Sequence, residues 1–297
     1  MSFLLKTLIL NNYQGEQKIN MELRKKHFIY SVIIICGMML SQVSVAEPAE
    51  YHFGGGLLKF DYAEYNDSDI FLDGETGYIP GIVLKRKQKY QHSYIELVGQ
   101  AHANTIKYDG QTQGGTPLQT KSDALIIDTF FRFGSYINSA RNHSPYIGLG
   151  LRYWLRNIRA GYDINGNAVA GLLEQYYWNY LLAGYEGSFS VSDDVTAGFD
   201  IRSTLMLNAK MDVNFLGYKN YDNAQVNLGN KFGARFALPI KIKMRRHALI
   251  VAPYYEIIDI GKSNSVAVTS DGVLTGTSIY EPRSETRNIG INVTVLW

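Results

Sequence analysis

Residues 289–297 alternate with a strict period of two. Ile289, Ile291, Val293, Val295 and Trp297 share one face of a strand, and Gly290, Asn292 and Thr294 share the other. Chain termini usually fray, so an apolar face tipped with an aromatic needs something to cover it. Residues 195–207 repeat the pattern at greater length. Val195, Ala197, Phe199, Ile201, Ser203, Leu205 and Leu207 mark one face, and Thr196, Asp200, Arg202, Thr204 and the adjoining Asn208 mark the other. A strand that crosses a bilayer takes about 9–11 residues, whereas strands of globular proteins are mostly about 5–6. Strands that span lipid turn apolar residues outward, polar residues inward, and aromatics to the membrane boundary.

The final segment resembles that of the outer-membrane β-barrel proteins of Gram-negative bacteria. Their last strand ends in an aromatic, usually Phe, preceded by apolar residues at alternate positions. The barrel-assembly machinery recognises that pattern; Trp297 replaces the usual Phe. The competing reading is an edge strand of a soluble sandwich. The resemblance implies an all-β fold, a closed antiparallel transmembrane β-barrel. It also implies outer-membrane localisation, with lipid, lipopolysaccharide and the assembly machinery as partners.

At the other end, Arg24, Lys25 and Lys26 precede an apolar run from Phe28 to Leu40, and Ser44, Val45 and Ala46 follow with small residues at the first and third positions. Basic, apolar, small-x-small is the order of a secretory signal. The run is about a dozen residues, short of the roughly twenty that a spanning helix needs. The expected signal peptide is 21–46, cleaved after Ala46, with Glu47 the first mature residue. Met21 stands just before the basic cluster, so 1–20 reads as a mis-assigned start or an extension of the signal. Cys36, the sole cysteine, lies in the apolar run. Its loss with the signal leaves no disulfide and no thiolate chemistry. Ile34 and Ile35 precede it where a lipoprotein signal wants small residues.

Residues 47–297 form one expected domain, without a repeat or linker. Glycine (28) and tyrosine (22) outnumber proline (7), and the net charge of +2 offers no basic surface for nucleic acid. Ten strands are expected, with eight or twelve as alternatives. They are 53–65, 78–87, a strand on which Ile95, Leu97, Gly99, Ala101 and Ala103 alternate with Glu96, Gln100, His102 and Asn104, one on which Leu125, Ile127, Phe131 and Phe133 alternate with Asp128 and Arg132, one on which Ile147, Leu149, Leu151, Tyr153 and Leu155 alternate with Arg152, Trp154 and Arg156, then 176–189, 195–207, one on which Phe232, Ala234, Phe236, Leu238 and Ile240 alternate with Lys231, Arg235 and Lys241, then 248–260 and 285–297. Short turns near 89–92, 138–143, 192–194 and 243–247 alternate with long loops near 66–76, 109–121, 157–175, 210–229 and 261–284. Outer-membrane barrels show that alternation, with the short turns periplasmic. Asp67, Asp69, Asp73 and Glu75 are assigned to the first long loop, and Lys85, Arg86, Lys87, Lys89, Arg141, Lys243, Arg245 and Arg246 to a basic periplasmic rim.

The expected lumen network comprises Glu96, His102, Asp128, Arg132, Arg152, Asp200, Arg202, Arg235 and Glu256, with Arg156 and Lys231 on the same inward faces. Buried charges must be paired, so these residues form either a structural salt-bridge network or the wall of a narrow polar conduit. Enzymatic motifs are incomplete. The omptin proteases pair aspartates with a later Asp-x-His; Asp67-Ser68-Asp69 resembles the pair, but no Asp-x-His occurs. Outer-membrane phospholipases and lipid A deacylases use His-x-Ser; His92-Ser93 and His143-Ser144 lack the spacer. Asp163, Asn165, Asn167 and Glu174 have calcium-loop spacing, but Ala168 occupies the glycine position, and Asn165-Gly166 is a hairpin-turn signal, the preferred reading. No catalytic residue, cofactor or metal is expected. The expected function is surface interaction through the loops, like small-barrel adhesins in general plan, by a monomer. The alternative is a narrow porin-like channel.

Overall fold

The computed structural model describes residues 47–112 and 114–297, so the expected signal peptide lies outside the described residues. Ten antiparallel strands close into a barrel. They are β1 (Glu50–Tyr65), β2 (Phe71–Lys89), β3 (Ser93–Gln111), β4 (Pro117–Ser135), β5 (His143–Ile158), β6 (Leu172–Ser190), β7 (Val195–Asn214), β8 (Phe232–Ala237 continued by Ile240–Lys243), β9 (Ala248–Ile260) and β10 (Arg283–Leu296). Wall order follows sequence order. β10 pairs with β1 from His52↔Leu296 to Tyr65↔Arg283, which removes both edges. Pro239 sits in the break of β8, where its missing N–H spoils no ladder bond.

The alternation fixes which face meets lipid, because slipping by one residue would turn every apolar side chain inward. On β10 the outward run is Ile289, Ile291, Val293, Val295, then Trp297, which exchanges backbone hydrogen bonds with Tyr51. On β3 it is Ile95 to Ala103 at alternate positions, followed by Thr105 and Lys107. Each apolar run covers about nine residues, the length a tilted spanning strand needs. The strands are longer than that: β3 and β4 have 19 residues each. They project past the apolar belt at one end of the barrel.

That projection corrects two expected loops. Residues 66–76 and 109–121 are largely strand, with tight connections only at 66–70 and 112–116. Asp73 and Glu75 belong to β2, not to a loop. The connections 159–171, 215–231 and 261–282 are long. Asn208 is also corrected. It takes φ 52° at a bulge opposite Trp178, is exposed, and shifts the alternation, so that Met206 and then Ala209, Met211 and Val213 face inward.

Tyrosine and glycine are abundant for a packing reason. Inward tyrosines lie flat over glycines of the neighbouring strand: Tyr94 over Gly134 and Tyr254 over Gly290, where any Cβ would collide with the ring. The lumen is thereby filled with side chains, as in other narrow barrels.

Candidate functional site

The lumen holds three tiers of charge, each set by inward positions of adjacent strands. The tier near the short turns centres on Arg132 of β4. Its guanidinium bonds Glu96 at 3.0 Å, Glu186 at 2.7 Å and Asp200 at 2.8 Å, and lies over the Tyr146 ring at 4.4 Å. Tyr146 also donates its hydroxyl to Asp200. Lys85 and Lys87, expected on a periplasmic rim, instead point inward. Lys87 bonds Glu186 at 2.6 Å, and Lys85 lies 3.4 Å from Glu96. Inward parity on β2 places them there, so the rim reading fails for these two.

In the middle tier Glu256 of β9 is shared by Arg152 at 2.9 Å and Arg202 at 3.6 Å. Asp128 accepts from Tyr180 at 2.6 Å and Gln100 at 3.1 Å. Arg235 stacks on Tyr254 at 3.6 Å. His102 is buried, and its Nε2 has no hydrogen-bond partner among the described residues.

The third tier lies above the belt, toward the long loops. Arg156 of β5 is fully enclosed. Its Nη1 contacts Glu64 at 2.7 Å and Glu174 at 2.9 Å, its Nε Glu75 at 2.8 Å, and its Nη2 Asp73 at 2.9 Å. Tyr62, Trp154 and Tyr176 pack beneath as an aromatic layer, with Trp154 stacked on Tyr176 at 4.6 Å. Glu281, from the connection 261–282, reaches down into this tier. Its Oε1 accepts from Tyr62 and Tyr176, both at 2.9 Å. Burial, and then the nearby Glu174 carboxylate, push its pKa up to about 8. At neutral pH this carboxyl holds a proton, the form that suits a dry pocket.

Above the tier, the loops form a packed crown. Phe215, Val226, Leu228, Ile260 and Val268 are buried together. Asp222 accepts from Thr269 Oγ1 at 2.7 Å and from the Gly272 N–H at 2.9 Å. Asp67 pairs with Lys262 at 2.6 Å and Asp69 with Arg283 at 2.7 Å, tying the first hairpin to the last loop and to the start of β10. Several apolar side chains point away from this crown: Ile164, Tyr162, Leu274 and Val273 are 65–75% exposed.

The structure thus brings together Glu96, Arg132 and Asp200, and separately Arg152, Arg202 and Glu256. Asp128, His102 and Arg235 line the same lumen. Sequence reading missed Glu64, Glu174, Glu186 and Glu281 as lumen acids. The first three occupy inward positions on long strands, a signal that parity carried through to the strand ends would have found. Glu281 lies in a loop, with no periodic signal. Residues 163–167 form a hairpin turn: Asp163 Oδ1 accepts from the backbone of Asn165 and Asn167, Gly166 has φ 82°, and Glu174 is committed to Arg156. Asp67 and Asp69 are spent on ion pairs. Ser144 donates to the Ser135 carbonyl, and His143 Nδ1 meets the Tyr185 hydroxyl at 3.0 Å, so the two do not face each other as base and nucleophile.

No family model matches the sequence, and no curated protein matches it. Among solved structures, the chain is similar to the outer membrane protease OmpT of Escherichia coli, with TM-score 0.61 and 10% identity over 86% of this chain and 99% of that one. It also aligns with OprG of Pseudomonas aeruginosa, with TM-score 0.33 and 11% identity over 86% of this chain and 97% of that one, and with Neisserial surface protein A, with TM-score 0.34 and 9% identity over 83% and 99%. The fold is that of the bacterial outer-membrane β-barrels.

Proposed function

We propose that this chain is a non-enzymatic outer-membrane protein that interacts with other surfaces through its loop crown, with the loops outside the cell and the short turns in the periplasm. The observation that carries this reading is the contrast at the loop end. The lumen beneath is closed by Arg156, its four carboxylates and the aromatic layer, while Tyr162, Ile164, Val273 and Leu274 are held outward on hairpin ribbons of an ordered crown. Exposed apolar tips on a rigid frame are the usual anchors of a binding surface. Catalysis is disfavoured because Glu281, the loop carboxyl with a raised pKa, is 3% exposed and has no open face toward a substrate.

Two measurements test the reading together. The refolded barrel in planar bilayers should give no stepwise conductance. Cells displaying the protein should adhere to immobilised host-cell or bacterial surfaces, and the quadruple variant Tyr162→Ser, Ile164→Ser, Val273→Ser, Leu274→Ser should lose that adhesion at unchanged surface abundance. Stable conductance steps, or adhesion that the quadruple variant retains, would overturn it.

A further inference from the structure

A cavity of about 110 Å³ lies in the lumen between the Arg132 tier and the middle tier. A buried water needs roughly 10–15 Å³ of such space, so a polyatomic ion with some water fits. The wall carries an excess of positive charge. Lys85, Arg132, Arg202 and Arg235 line it against only Glu96 and Asp200. Both acids are already engaged: Glu96 by Arg132 and Lys85, Asp200 by Arg132 and Tyr146.

Arg235 is the cation without an anion. Its register partner on β9 is Glu256, which Arg152 and Arg202 have taken, and its register partner on β7 is Arg202 itself. Like charges directly opposite on one sheet face are destabilising, and Arg235 is half-buried, so a counter-charge in the lumen would stabilise it. Arg235 forms no ion pair among the described residues; it has only the Tyr254 ring. Donors around the same space are also unspent. Both ring nitrogens of His52, which is 7% exposed, lack hydrogen-bond partners among the described residues, as do Nε of Arg132 and Nε of Arg202. A neutral imidazole still donates one N–H, and the guanidinium Nε–H groups donate regardless of pH. The acceptors in the wall are Asn292 Oδ1, also without a partner among the described residues, the Gln100 amide, the Thr294 hydroxyl and the two carboxylates, Glu96 Oε1 having only Lys85 at 3.4 Å; four cations against two carboxylates leave the wall net positive.

We propose that this cavity binds a small oxyanion of the phosphate or carboxylate class, held between Arg235, Arg202 and the His52 imidazole. Oxygen acceptors on such an ion meet N–H donors arranged in planar forks, the geometry that guanidinium groups favour. Lys85 and Asp200, partly exposed toward the short-turn end, mark the side from which the ion enters. The proposal does not depend on what the loop crown binds.

Inorganic phosphate is the probe. Calorimetric titration of the refolded full barrel in micelles, at constant ionic strength, should show saturable one-to-one binding of phosphate, with acetate comparable and chloride at least tenfold weaker. Arg235→Gln should weaken phosphate at least tenfold. Ala252→Leu, which fills the cavity without touching a charge, should abolish binding, and it decides the matter should Arg235→Gln fail to fold. The absence of saturable binding by both phosphate and acetate, equal affinity for chloride, or unchanged affinity in the folded variants would show that the cavity holds water only and would overturn the site.

Discussion

The two ends of the lumen solve the same problem with different balances of charge. Near the short turns, Arg132 meets three carboxylates, and Lys85 and Lys87 share them. Near the loops, Arg156 meets four carboxylates, Glu281 stands as a fifth acid close by, and no second cation among the described residues pairs with them. The first tier is a balanced network of three cations and three carboxylates. The second is an anionic nest around a single cation. Removing one partner of a buried pair is far costlier than the pair's net worth, because it strands the other charge. The barrel is therefore unevenly robust along its axis, and the weak point lies directly under the crown.

The largest expected effect tests that unevenness. Arg156→Met should destabilise the barrel by about 3–5 kcal/mol or more, the cost of stranding buried charge. Arg132→Met should cost clearly less, since two lysines still face Glu96 and Glu186. Urea unfolding in lipid vesicles, followed by tryptophan fluorescence and heat-modifiable mobility, measures both. Equal losses would mean that the lysines do not share the load.

The next test changes sign between the tiers. Glu186→Gln removes an anion from a balanced network and should cost about 1–3 kcal/mol, the usual cost of an unsatisfied buried group. Glu174→Gln removes one from an overcharged nest and should be neutral or stabilising at pH 8. The same urea titrations decide it; destabilisation by both would show that the nest is not electrostatically strained.

Protons separate the ends as well. Glu281 moves from an ordinary value of 4.5 to about 8 in the folded protein. A raised carboxyl pKa means that the folded state holds the proton more tightly. Stability from this group is full below about pH 4.5 and falls as pH rises to about 8. The crown should loosen over that window, read as faster hydrogen exchange or proteolysis in 261–282, while β3 and β4 near the short turns stay protected. Glu281→Gln should flatten the profile. A wild-type crown equally protected at pH 5 and pH 8.5 would remove Glu281 as its anchor.

How far the sequence revealed these tiers depends on where periodicity operates. Within the belt it operates strictly, because lipid on one side and packed lumen on the other leave each position a single face. Glu96, Arg132, Arg152, Arg202 and Glu256 were legible for that reason. Past the belt, water surrounds the strands and the outward face loses its apolar mark. Asp73 and Glu75 then read as loop acids although they continue β2, and the bulge at Asn208 was invisible because only the backbone encodes it. Asp271-Gly272, which closes the hairpin between Val266–Ser270 and Val273–Ile279 with two positive φ values, is a turn signal inside the long loop expected at 261–284. The lysines were misplaced for a different cause: a basic cluster beside a turn looks like a solvated rim until parity is followed through Lys85 and Lys87.

The smallest expected effect bounds what holds the crown down. Lys262 bonds Asp67 at 2.6 Å, but both side chains are well exposed. Exposed ion pairs gain little, because water screens them and ordering two flexible side chains offsets the attraction. Lys262→Ala should therefore leave unfolding midpoints unchanged and leave exchange in 261–282 as slow as in the wild type at pH 6. Its bond has good geometry, so a purely geometric view would expect the loop to open. If the variant opens as much as Arg156→Met does, then the crown is held by its rim contacts rather than by the buried tier beneath, and the contrast between the two ends of the lumen would have to be redrawn around the loops.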